Sequence, residues 1–134
     1  MGTQQLLLIT LAVVVVSVLI AIGIVMFRDQ AASHNRDSLS NDLVYFATQA
    51  RKYYHRPAIL RGGNGSFGGL MMSELTTRPT NQNGTYSLVP DPVPAGEQSC
   101  IFIGIGKEIG SVNTDFVKVT MQVWPDSMVL VVDN

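Results

Sequence analysis

The chain has one cysteine, Cys100, so no disulfide can close within it. In the strand-like run Ser99–Ile105 that thiol reads as a small buried hydrophobe, with an interchain bridge or a reactive thiol as the other readings. Charge is scarce: 14% of residues, with a net charge of -1 and no basic block, which excludes a phosphate-tracking nucleic-acid surface. No charged residue precedes Arg28, and no proline precedes Pro57. His34 and His55 are far apart in sequence, and neither has a carboxylate at ligand spacing. With Cys100 they form no recognisable metal or nucleophile set. His55 reads instead as a solvated cation at a helix C-terminus, where positive charge is mildly favourable. The sequence therefore reads as a non-enzyme with no cofactor.

What is present begins with an apolar run, Leu6–Phe27. As a helix it would span about 33 Å, close to the thickness of a bilayer's hydrocarbon core. A cleaved signal peptide would have a basic start and a shorter apolar stretch. Met1–Gln5 has no basic side chain, and Arg28-Asp29-Gln30-Ala31-Ala32 is a poor cleavage context, so the segment is expected to be retained. Arg28 and Arg36 alternate with Asp29 and Asp37, which leaves orientation open under the positive-inside rule. Gly2 does not signal myristoylation, because Leu6 stands where that pattern wants Ser or Thr.

The helical signal continues past Phe27. Leu39, Leu43, Phe46, Ala50 and Tyr53 recur at spacings of four, three, four and three, which marks one helix face. Asp37, Asn41, Asp42, Gln49, Arg51 and Lys52 fall between them, on the expected wet face. Pro57 ends the pattern by lacking an N–H and biasing Arg56 away from the helical region. One helix from near residue 3 to near residue 55 is expected, roughly 80 Å long. Gly23 is its weakest point, where local unwinding within a dense assembly stays open.

Beyond Pro57, Arg61–Gly69 is glycine-rich. It is no phosphate cradle, because no Lys-Ser/Thr follows and it leaves a helix rather than joining a strand to one. It reads as a flexible or tightly turning connector with Phe67 as its anchor. Strands are expected at Thr85–Val89 after the Asn83-Gly84 turn, at Ser99–Ile105, at Phe116–Trp124 and at Met128–Asp133. In the second strand Ile101, Ile103 and Ile105 share a face. In the third Val117, Val119, Met121 and Val123 point inward. The last two make a hairpin, and a three- or four-stranded antiparallel sheet should pack under the Leu39–Tyr53 stripe. The fold class is α+β, with three parts: an apolar half-helix at 1–27, an amphipathic half-helix at 28–56, and a glycine-rich loop with a β-sheet head at 57–134. Asn64-Gly65-Ser66 and Asn83-Gly84-Thr85 fit a glycosylation acceptor pattern but read first as polar turns.

The start Met1-Gly2-Thr3-Gln4-Gln5-Leu6-Leu7-Leu8-Ile9, the uncharged stretch to Phe27, the polar half to Tyr54 and the terminal strands together resemble the type IV pilin family and its pseudopilin relatives, over nearly the whole chain. The resemblance implies a structural subunit that polymerises through its apolar helix into an extracellular filament. Counted from Met1, Gln5 stands where that family has a glutamate. Counted from Thr3, the fifth residue is Leu7. The family's mid-helix proline has no counterpart besides the nearby Gly23, and its C-terminal disulfide cannot form.

On this reading Gln5, Leu6, Leu7, Ile9, Leu11, Val14, Leu19, Ile22 and Gly23 build the filament core, with Gln5 bonding a neighbour's N-terminus or resting at the membrane boundary. The implied partners are other copies of the chain, the membrane before assembly, and the pilus assembly machinery. The implied location is the cell surface, reached from an inner-membrane-anchored precursor. Two alternatives remain: a single-pass anchored envelope protein with a small partner-binding domain, and a pseudopilin of a secretion system. A plain anchor would more often carry a flexible linker near residues 28–40, and the sequence there has none.

Overall fold

A computed structural model describes residues 2–110 and 114–133 of the chain. Helix α1, Gly2–His55, is 54 residues of uninterrupted α-helix. It passes through Gly23 without a break, and a side chain added there would point into open space. A 3-10 turn, Ala58–Leu60, and a short helix α2, Met72–Leu75, follow; neither was expected. Four strands complete the head: β1 Gly84–Val89, β2 Cys100–Ile109, β3 Phe116–Val123 and β4 Met128–Val132. They form one antiparallel sheet in the order β1-β2-β3-β4. This is the expected α+β architecture: a long helix packed at its C-terminal half on a small meander.

The expected strands are all present with small differences in extent. Strand β2 runs four residues past Ile105, and its pairing with β3 is irregular between Ile105 and Ile109. The isoleucines of β2 lie on the sheet's outer face, with Ile101 and Ile103 half-buried and Ile105 exposed. The inner face of β2 carries Cys100, Phe102, Gly104 and Gly106 instead. The small residues stand where α1 comes nearest. A Cβ at Gly106 would lie 1.9 Å from Asn35 Oδ1, so with Asn35 in its present place glycine fits here and a larger residue requires that side chain to move.

The core joins the two layers. Leu39, Leu43, Phe46 and Ala50 of α1 are buried against Val117, Val119, Met121 and Val123 of β3, as the periodicities require. Tyr53 packs on the same cluster while half-buried, and its hydroxyl donates to the Gly68 carbonyl at 3.0 Å. Ala32 and Ala47 extend the helix stripe, and Tyr86, Leu88 and Phe102 fill the β1–β2 side. Phe46 meets the Tyr86 ring edge-on at 5.1 Å.

The glycine-rich connector is a turn folded back on the end of α1. The N–H groups of Gly63, Asn64 and Gly65 donate to the carbonyls of Tyr53, Arg56 and Tyr54 at 2.8, 3.0 and 2.9 Å. The Tyr54 and Arg56 carbonyls at the helix end gain their partners from this turn, and the Tyr53 carbonyl, which also accepts from the Arg56 N–H at 3.2 Å, gains a second. A Cβ at Gly63 would lie 1.7 Å from the Ser66 carbonyl oxygen, which forbids any other residue there. Phe67 is buried in the core as the expected anchor.

Candidate functional site

The feature that sets this molecule apart is the uncovered half of α1. Its large apolar side chains from Leu6 to Phe27, including Leu6, Leu7, Ile9, Leu11, Val14, Leu19 and Ile22, are between 49% and 74% exposed. Gln5 is exposed at the foot of the same helix. The rod is long and apolar enough to cross a membrane. Its hydroxyls are satisfied within the helix: Thr10 Oγ1 donates to the Leu7 carbonyl at 2.9 Å and Ser17 Oγ to the Val13 carbonyl at 2.7 Å. The surface therefore suits either lipid or other apolar helices, neither of which would supply partners for free hydroxyls.

Small residues lie on two sides of the rod. At about 100° per residue, Ala12 and Gly23 fall on one side, and Ser17 and Ala21 on nearly the opposite one. Backbones can approach closely at such places.

A second set of contacts fixes the head's attitude on the rod. The Asp42 carboxylate faces the sheet, where Tyr86 Oη donates a hydrogen bond to it. Asn81 Nδ2 and Asn83 Nδ2 donate to the same oxygen at 2.9 and 2.8 Å. Burial acts to raise the Asp42 pKa, but the bonds from Tyr86, Asn83 and Asn81 outweigh it and hold the carboxyl below its ordinary range. Burial, and then the Asp42 charge and hydrogen bond, push the Tyr86 phenol up. At neutral pH the pair is a carboxylate and a neutral phenol. Asn35 Nδ2 donates to the Asn83 carbonyl at 2.8 Å, and Arg51 Nε donates to the Pro125 carbonyl at 2.9 Å.

Asp42 and Arg51 thus leave the wet face to which their spacing assigned them and fasten the edges of the helix–sheet contact. The sequence signal for the first was Asn81-Gln82-Asn83-Gly84. Asn81 Oδ1 accepts from the N–H groups of Asn83 and Gly84, forming a side-chain-closed turn that aims both amides at α1.

Cys100 is buried, and burial pushes its thiol up to about 12. That favours the small-hydrophobe reading over a reactive thiol or an interchain bridge. Among the described residues, no group of three or more His, Cys, Asp or Glu side chains is placed to hold a metal ion.

The chain matches no protein-family model, no curated protein and no solved structure. The class its geometry defines is a membrane-length apolar helix continuous with an α+β head.

Proposed function

We propose that the chain is the structural subunit of a type IV pilus-like extracellular filament that polymerises through the apolar half of α1. The observation that carries this reading is the unbroken helix from Gly2 to His55: the rod enters the head with no linker. Where the head sits, the rod's direction is set. A tether needs no such rigidity, but a polymer with rods at its axis and heads outside does. The rigid junction favours this reading over a plain membrane anchor. A pseudopilin would share it and differ chiefly in filament length.

The energetics run the same way. Burial of apolar area contributes about 25 cal/mol per Å² when the alternative is water, so a free subunit outside lipid is strongly disfavoured. Before assembly the rod is solvated by the bilayer; in the fibre neighbouring rods replace the lipid. A head-to-tail contact repeated by a rotation that does not close gives a helical filament. Gln5, a neutral amide, is able to bond a neighbour's N-terminus without burying an unpaired charge. Assembly machinery would extract the subunit from the inner membrane, and the product would lie at the cell surface.

The test is Leu7→Asp and Val14→Asp, each placing a carboxylate in the apolar bundle. Both variants should yield no fibres in material sheared from cells while the head keeps its fold. Normal fibres from both would refute the packing scheme.

A further inference from the structure

The end of the sheet nearest the rod carries an exposed apolar cluster that neither the head's core nor the rod's bundle faces explain. Phe27 is 74% exposed, Phe116 55% and Ile109 45%. Phe27 and Phe116 line one cleft of about 260 Å³ with Ile109, Arg28 and Lys107. Ile109 and Phe116 are directly paired across β2 and β3, beyond the irregular stretch that re-aims this end of the ladder. Ile109 also lines a second crevice, of about 200 Å³, with Val25. The strand end therefore reaches level with a residue inside the charge-free run, roughly 3 Å short of that run's last residue along the helix.

The geometry points to a membrane-docking surface on the head: when the rod spans a bilayer, Phe116 and Ile109 enter the headgroup–acyl boundary beside Phe27. The occupant follows from continuity. The same helix that passes through the hydrocarbon carries Val25 and Phe27, and β2–β3 is packed beside them, so this end of the head cannot stand clear of the interface. Its composition suits that layer. Phe and aliphatic side chains on a membrane-facing surface sink about 5–10 Å into it.

The polar rim carries both signs, Arg28 and Lys107 with Asp29 and Glu108. It therefore matches a zwitterionic headgroup layer and needs no anionic lipid. The head then sits on the bilayer at a set tilt, with the face bearing Trp124 about 25 Å further out along β3. This inference rests on the membrane-resident precursor of the proposed function.

The test uses the full chain in phosphatidylcholine vesicles, with lipids brominated at shallow or deep acyl positions as fluorescence quenchers. The native Trp124 is the internal control. Trp124→Phe removes it, and in that background Phe116→Trp reports the docking surface and Val14→Trp the span. The 116 probe is expected to emit at shorter wavelength than Trp124 and to be quenched most by shallow bromines, independently of protein dilution in lipid. The 14 probe should be quenched most by deep bromines, and Trp124 by neither. A quenched 14 probe with an unquenched 116 probe overturns the docking surface and leaves the membrane reading intact. An unquenched 14 probe overturns the membrane reading and this inference with it. A blue shift at 116 that fades as the protein is diluted identifies a second copy as the occupant and also overturns the proposal.

Discussion

Replacing Asp42 by alanine removes the acceptor shared by Tyr86, Asn81 and Asn83. The three donors do not lose equally. Asn81 is exposed and Asn83 half-buried, so both amides can turn to water. Tyr86 is 2% exposed, and its hydroxyl is stranded. Leaving a buried donor unsatisfied costs about 1–3 kcal/mol. Asp42→Ala should therefore cost about 2 kcal/mol. Tyr86→Phe keeps the ring against Phe46 and leaves Asp42 with two amide donors, at about 1 kcal/mol. The double variant should be no worse than Asp42→Ala, since the stranded hydroxyl is gone, which gives a coupling of at least about 1 kcal/mol.

Urea unfolding of the full chain in detergent micelles, followed through Trp124, measures all four forms. A pH arm checks the sign. The Asp42 carboxyl is held below its ordinary value in the folded head, so its contribution is present above the unfolded carboxyl pKa of about 4 and is lost as pH falls through the folded value. The advantage of the wild type over Asp42→Asn should shrink in that acid range. An Asp42→Ala variant within about 0.5 kcal/mol of the wild type, or strictly additive single changes, would refute the assignment.

Gly106→Ala places a methyl against Asn35 Oδ1, at a distance that requires the helix or the side chain to shift. A loss of about 1–3 kcal/mol is expected in the same unfolding assay, and Asn35→Ala should recover part of it by making room. Cys100 should resist thiol reagents in the folded head, because it is buried with its pKa pushed up to about 12, and should react fully in denaturant. Labelling of the native protein at the denatured rate would contradict its placement.

The helix was legible in the sequence because two independent signals agreed: an unbroken run without charge or proline, then a stripe at helical spacing closed by Pro57. Alternation in β3 was equally clear, since Val117, Val119, Met121 and Val123 each have a polar neighbour. Strand β2 was harder. Its alternating isoleucines and glycines suggest an apolar face, yet the glycines lie under α1 because backbone proximity there outweighs side-chain hydrophobicity. The polar fastenings were hidden for a related reason. Asp42 is separated by about forty positions from the residues that bond it, and on a helix wheel it looks solvated. The turn of the glycine-rich segment onto the helix end was likewise unreadable without knowing where the carbonyls of Tyr53, Tyr54 and Arg56 point. The candidate assembly surface lay in plain view, since none of the apolar window is buried among the described residues.

The most direct measurement of the central claim is a helical reconstruction, by electron cryomicroscopy, of fibres sheared from cells that make this chain. The account expects residues 6–27 of every subunit gathered at the fibre axis in contact with one another, with the sheets arrayed outside. Fibres lacking the chain, or the chain found solely as separate molecules in the membrane fraction, would contradict it.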